Sequence, residues 1–556
     1  MDLTDPAEKP LERVTALLRR YADPAASTAQ LLCDRHDASS VAYSVVAQDL
    51  SADDLTYGAL REDSARFAHA LASLGLQRGD RVATLMGKSR AYLVTVMAIW
   101  RLGAVHVPLF TAFAPAAIAL RALAAHCRII VCDPAQRPKL APSDTMPANP
   151  PWQVLTTGSA DDSAMSYADL LAGSRVGFPA AAVGGDAPII QIYTSGTTGT
   201  PKGVLVPLRA VAGFQAYAEY GLGLRAEDIF WNGADPGWAY GLYFGIIAAL
   251  ATGVRGILLE GGFSPELTFE VLARYAVTNF TAAPTVYRSL RAVGPASQRR
   301  LQLRCASSAG EPLTPEVNDW ACRALNVPVH DHYGQTEMGM LINNHQHPAL
   351  RRPLKPGSMG HALPGWHAVV LKWNEDVPAA VGETGRVAID LSRSPLAWFS
   401  GYVSDNTRSA EKFSADQRWY LTGDTGTTDT EGYFYFCARD DDVIIMAGYR
   451  IGPSEVESVL MTHAAISECA VVAGPDELRG EVIEAFVVLR PGDQPSEELT
   501  SELQRWVKQR YAAHAYPRTI HYVEKLPRTP SGKVQRFVLR RQLRELISSS
   551  GNSSCA

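Results

Sequence analysis

One short string constrains this chain more than any other feature: Tyr193-Thr194-Ser195-Gly196-Thr197-Thr198-Gly199-Thr200-Pro201-Lys202-Gly203-Val204. It follows directly on an apolar run at residues 189–193 that reads as a buried strand, so the glycines and hydroxyls come where a strand gives way to a loop. Glycines let a backbone approach an anion closely, successive amides and hydroxyls donate to it, and Lys202 supplies opposing charge. The string reads as a phosphate cradle. It is not G-x-x-x-x-G-K-[ST], because Pro201 precedes Lys202 and Gly203 follows it, and this disfavours a P-loop.

The surrounding pattern predicts an α/β fold. From about residue 28 to residue 438, helical stripes alternate with short apolar runs. Leu60, Phe67, Leu71 and Leu74 recur at helical spacing and stop at Gly75, and residues 82–86 then read as a strand; residues 127–132 and 256–259 look similar. Residues 134–151 and 178–188 are rich in proline and glycine and are expected to be loops. After the polar stretch 438–442 the character changes to a short α+β pattern. There Ser454 with Glu457 suggests a capping box, strand-like runs sit at 469–472 and 485–489, and Leu499, Leu503, Trp506 and Val507 mark an amphipathic helix. A chain of 556 residues exceeds what one core usually serves, in keeping with two domains.

Composition bears mainly on partners. With 47% hydrophobic and 20% charged residues and a net charge of -5, the chain has no massed basic face, so neither nucleic acid nor an anionic membrane is indicated. Its eight cysteines form no C-x-x-C pair or zinc-type spacing. The first residues carry acids and no apolar h-region, and the most apolar run, 242–254, is interrupted by Gly245, Thr252 and Gly253 and is too short to span a bilayer. A cytoplasmic enzyme acting on small molecules is expected.

The string at 193–204 resembles the signature loop of the adenylate-forming superfamily, which comprises acyl- and aryl-CoA synthetases, peptide-synthetase adenylation domains and beetle luciferases. Further motifs similar to the family's occur in order along nearly the whole chain: Gly310-Glu311-Pro312; Asp331-His332-Tyr333-Gly334-Gln335-Thr336-Glu337; Tyr420 to Asp424; Arg439 to Asp442 with Gly448-Tyr449-Arg450; and Pro530-Ser531-Gly532-Lys533. The resemblance implies a large N-terminal adenylation domain at 28–439 after an extension at 1–27. A hinge at 440–441, with Asp441 at its centre, would lead to a mobile α+β domain at 442–547, followed by a disordered tail at 548–556.

It implies further that the string from Thr194 through Ser195, Gly196, Thr197, Thr198 and Gly199 to Lys202 holds the phosphates of ATP. Gly310, Glu311 and Pro312 would line the adenine side and Tyr333 would stack on the purine, within a binding stretch that includes Asp331, His332, Gly334 and Gln335. Asp424 would accept the ribose hydroxyls with Arg439 assisting. Thr336 would hold nucleotide phosphates, Glu337 a magnesium ion, and Lys533 would bridge carboxylate and α-phosphate as charge builds. Gly448, beside Tyr449 and Arg450, would open the way for the thiol of coenzyme A once the small domain turns.

For the acid, the resemblance points to Trp238, Ala309 and Gly334 as pocket residues. Acetate-specific relatives carry Trp immediately before the Gln-Thr-Glu triplet, where this chain has Gly334, so an acid larger than acetate is expected: medium-chain, branched, or a bulky secondary-metabolite carboxylate. Leu208 stands where many members carry His, and Ile445 and Met446 occupy positions often polar. The implied partners are the acid, ATP and coenzyme A. An amine or a carrier-protein thiol is the alternative acceptor, a specialist for one half-reaction stays open, and so does a homodimer.

Overall fold

The structure, a computed structural model, describes residues 3, 9–161, 163–194, 201–293, 300–446, 449–476, 480–512, 515–528 and 534–551; of these, the side chains of 441, 449, 450, 480 and 546–551 lie outside the description. The chain divides into two units, Met1–Ala368 with Asp390–Arg418, and Val369–Ile389 with Trp419–Ala556. The class is α/β, as the alternating pattern predicts.

In the first unit, short runs of β-branched and aliphatic residues become strands buried on both faces, the usual outcome in parallel sheets covered by helices. One sheet runs Met165–Ser166, Gln153–Thr156, Cys127–Cys132, Arg81–Leu85, Val105–Pro108, Pro188–Thr194, Lys202–Pro207. Its pairings are parallel up to the last two strands, which form an antiparallel hairpin. The other sheet carries the parallel series Val329–Gln335, Cys305–Ala309, Asn279–Ala282, Ile229–Asn232, Arg255–Leu259, Val41–Val46. Beneath it lies a core built on Phe269, Leu272, Phe280, Tyr287 and Val317. Antiparallel Gly339–Asn343 and Ser358–Ala362 extend it beyond Val329–Gln335.

The helix expected from Leu60 to Leu74 spans Tyr57–Ser73. The Thr56 side chain accepts from Ala59 N at its start, and Gly75 follows its end with φ +85°. The apolar run read at 242–254 forms a π-helical stretch, Tyr240–Ile247, continued as an α-helix, Ala248–Thr252, and stopped at Gly253 with φ +80°. No helix among the described residues is long and apolar enough to cross a membrane. A helix at Pro10–Tyr21 buries Val14, Leu17 and Tyr21, and its Arg13 forks onto Glu219 at 3.0 and 2.7 Å. Both partners of that ion pair are buried, so losing either strands the other's charge, a cost of about 3–5 kcal/mol.

In the second unit, Ala368–Leu371, Gly385–Asp390, Trp419–Thr428 and Phe434–Arg439 lie side by side. A separate sheet orders Tyr449–Ile451, Ile444–Met446, Gly480–Leu489 and Ile466–Asp476, with Thr519–Tyr522 parallel to Gly480–Leu489. Alternation along Ile466–Asp476 covers both of its faces. Val471 joins Val456, Leu460, Leu503 and Val507 on one side, while Ala470 and Val472 meet Leu526, Leu539 and Leu543 on the other. The helix expected just after Pro453 spans Pro453–Leu460, but its cap differs from the expected Ser454 and Glu457: Gly452 is the N-cap and Glu455 accepts from its amide at 3.1 Å. Glu457 instead accepts from Val471 N at 2.8 Å and pairs with Arg536. The last helix, Arg536–Gly551, continues into the segment read as a tail.

Candidate active site

Strand pairing fixes the ends of the glycine-rich string. Pro188–Thr194 and Lys202–Pro207 are antiparallel with Thr194 directly opposite Lys202, so both residues sit at the base of the loop between the strands. Ser195, Gly196, Thr197, Thr198 and Gly199 lie outside the described residues. A Cβ on Gly203 would stand 3.2 Å from the Tyr193 ring and 3.3 Å from Val403 Cβ, so this position has little room for a side chain. Val403 N donates to Gly203 O at 2.8 Å, and Tyr402 bridges Val204.

That crossing brings in Tyr402, which the sequence did not mark. Its hydroxyl donates to Glu337 Oε1 at 2.7 Å, and the Lys202 ammonium stands 4.9 Å from the centroid of its ring. Glu337 is buried and has no ion-pair partner among the described residues. Beside it, Thr336 begins the turn between Val329–Gln335 and Gly339–Asn343, and its carbonyl accepts from Tyr243 OH at 3.1 Å. Tyr243 belongs to the π-helical stretch, a form that recurs at functional sites.

The other motif residues of this unit lie in, or just beyond, the C-terminal parts of Cys305–Ala309 and Val329–Gln335, near the strand ends where open α/β sheets bind ligands. Ala309, buried, ends Cys305–Ala309 opposite His332. Gly310 follows with φ +99°, a backbone setting that favours glycine. Glu311 accepts from Thr285 Oγ1 at 2.8 Å and from Arg288 at 2.7 Å, while Pro312 is exposed. Burial raises the Asp331 carboxyl to about 8, although Leu313 N and His332 N donate to it at 3.3 and 3.1 Å. His332 faces the interior. Its Nε2 donates to Asn344 O at 3.1 Å, so Nδ1 accepts from Tyr217 OH at 2.7 Å, and burial holds the ring neutral, well below the usual histidine range. Tyr333 is half-buried and accepts from Gln335 Nε2 at 3.3 Å.

Of the acid-pocket residues, Trp238 packs on Phe110 and Phe113 at centroid distances of 5.2 and 5.5 Å, and its buried Nε1 has no acceptor among the described residues. Gly334 sits at a β-bulge, and a Cβ there would lie 2.3 Å from Gly339 O. Its lack of a side chain is therefore demanded by the neighbouring strand, whatever the acid. Leu208 is fully buried at the start of a short 3₁₀ turn.

The second unit holds the other half of the motif set. Asp424 and Arg439 are directly opposed in the antiparallel pair Trp419–Thr428 and Phe434–Arg439, with NH1 3.3 Å from Oδ1. Asp424 is buried, and its amide donates to Thr422 Oγ1, which in turn donates to Val387 O. Asp441 lies in the turn Asp440–Asp442, and its side chain is outside the description. The next residue, Asp442, is bound by Arg540 at 2.5 Å and Arg536 at 3.5 Å. Tyr449 and Arg450 pair with Met446 and Ile445 through the backbone, while Gly448 and Lys533 lie outside the described residues. No cluster of three metal-ligating side chains occurs among the described residues.

Residues 35–403 match the AMP-binding enzyme family, and residues 455–533 match the AMP-binding enzyme C-terminal domain. Acetyl-coenzyme A synthetase of Bacillus subtilis (strain 168) is 35% identical over 495 residues, covering 87% of this chain and 84% of that one. Among solved structures, the Brucella canis acyl-CoA synthetase is 41% identical with a TM-score of 0.75, over 98% of this chain and 99% of that one. An anthranilate CoA ligase solved with anthranoyl-AMP is 25% identical with a TM-score of 0.83, over 97% and 99% of the two chains.

Proposed function

This chain belongs to the AMP-binding enzyme family, and from that premise we propose that it is an acyl-CoA synthetase that activates a carboxylic acid larger than acetate. A carboxylate oxygen attacks the α-phosphorus of ATP, pyrophosphate leaves, and the acyl-adenylate remains. The thiol of coenzyme A then attacks the acyl carbon, AMP leaves, and the thiol proton passes to solvent.

The observation that carries this reading is the meeting of Lys202, Tyr402 and Glu337 at the base of the glycine-rich hairpin. Lys202 is placed to oppose phosphate charge. Glu337 keeps a carboxylate oxygen with no hydrogen-bond donor among the described residues, which suits a magnesium ion that takes one carboxylate together with phosphate oxygens and water. When bound, that ion would neutralise charge on the departing pyrophosphate. Asp424 would accept the ribose hydroxyls and Tyr333 would stack on adenine, while Thr194 to Gly199 would wrap the phosphates. Lys533 would support the attack from the small domain at 442–547, which would turn about Asp441 to exchange Lys533 for the Gly448 loop.

The acid class rests on the aromatic wall of Trp238, Phe110 and Phe113 and on the absence, at Gly334, of the tryptophan that acetate-specific relatives carry. Incubating the protein with a panel of acids, ATP and either coenzyme A or amines, then identifying products by mass, tests the proposal. Acyl-CoA and AMP from an acid larger than acetate are expected. Amides alone, or acetate as the best acid, would overturn it.

A further inference from the structure

We propose that Tyr402 is a positioning residue that holds Glu337 and Lys202 in one fixed relation, the hydroxyl acting on the carboxylate and the ring acting on the lysine. This inference rests on the adenylate-forming reading of the same site. The side chain is 6% exposed and its backbone is pinned on two sides: Tyr402 N donates to Ser409 Oγ at 2.8 Å, and the next amide donates to Gly203 O at 2.8 Å. The Phe399 ring packs beside it at 5.1 Å. Such a side chain is locked in place before any ligand arrives, which is what a preorganised site requires.

The two contacts use different parts of the tyrosine. At 2.7 Å the hydroxyl occupies Glu337 Oε1 and so fixes the plane of the carboxylate, presenting its second oxygen in a set direction. Because the donor is neutral, the carboxylate keeps its full charge for a cation, whereas an arginine in the same place would have compensated it. The negative face of the ring meets the Lys202 ammonium at 4.9 Å, which limits where that charge can swing. Tyr402→Phe removes the first contact and keeps the second. Tyr402→Leu removes both.

The test measures binding directly. Mn²⁺ affinity in the presence of ATP is read from the electron paramagnetic resonance signal of the free ion, and metal-free ATP affinity by equilibrium dialysis. Tyr402→Phe is expected to weaken Mn²⁺ binding roughly 10-fold while leaving metal-free ATP affinity unchanged. Tyr402→Leu, or Tyr402→Met where melting shows the leucine variant unfolded, is expected to weaken metal-free ATP binding about 3-fold as well. A Tyr402→Phe protein that binds Mn²⁺ like the parent, or two variants altered only in melting temperature, would overturn the inference. Failure of the functional reading is distinguishable, because the parent protein would then show no acid-dependent exchange of pyrophosphate into ATP.

Discussion

Glu337 and Asp424 are both buried carboxylates, one in each unit, yet they are satisfied in opposite ways. Glu337 accepts from a phenol and has no ion-pair partner among the described residues; Asp424 faces the Arg439 guanidinium across a strand pair. A carboxylate away from water is costly unless its charge is matched. Asp424 already has its counter-charge and is suited to accept hydrogen bonds from neutral hydroxyls. Glu337 has no ion-pair partner among the described residues and is suited to receive a cation. The difference suits the two carboxylates to different chemistry, as the proposed function requires of them.

The largest expected consequence is at Glu337. Replacing it by glutamine keeps the shape and the Tyr402 contact but removes the charge, so pyrophosphate exchange should fall roughly 100-fold and excess magnesium should not restore it. Retained activity would erase the contrast.

Acid should act next, through the scaffold beneath Glu337. Burial lowers His330 and His345 to about 4 and holds His332 well below the usual range, whereas in the unfolded chain histidines take up protons near 6.5. The unfolded state therefore binds more protons between about pH 6.5 and 4, and the stability present above 6.5 is lost as pH falls through that window. Asp331 works with the opposite sign. Raised to about 8, it binds its proton better when folded, so its contribution is lost as pH rises from about 4 to 8. The melting temperature should peak near pH 6.5, with Asp331→Asn flattening the alkaline side. A profile flat from pH 4 to 8 would contradict these assignments.

Asp424→Asn should weaken ATP binding about 10-fold without shifting the magnesium requirement, the complement of the Glu337 result. A change in metal requirement would mean that the two carboxylates share one role. Smallest is Arg439→Lys, which preserves charge and loses the planar fork: ATP affinity should fall about 3-fold, and a 100-fold loss would place Arg439 on the nucleotide itself.

Much of this was legible in the sequence, for a physical reason. The signals were local: apolar runs bounded by glycine and proline gave strands such as Cys127–Cys132, and short contiguous motifs carried the family resemblance. What escaped depends on contacts between distant segments. Tyr402 lies 65 residues from Glu337, and no local pattern distinguishes it from any other core tyrosine. Tyr243 sat within a run read only for its apolar character. The cap at Gly452 was missed because Ser454 and Glu457 have capping-box spacing, while tertiary contacts with Val471 and Arg536 draw Glu457 away. At Gly334 the sequence shows only that the tryptophan of acetate-specific relatives is absent; that the facing strand leaves no place for a side chain is visible only in the fold.

The proposed function requires that a carboxylate attack the innermost phosphorus of ATP in this chain. Exchange of labelled pyrophosphate into ATP tests it most directly, run with and without an acid panel and with Lys533→Ala alongside. Exchange is expected only with a suitable acid and should drop by roughly 100-fold or more in the Lys533 variant. Exchange that ignores the acid, or ADP formed in place of AMP, would contradict it.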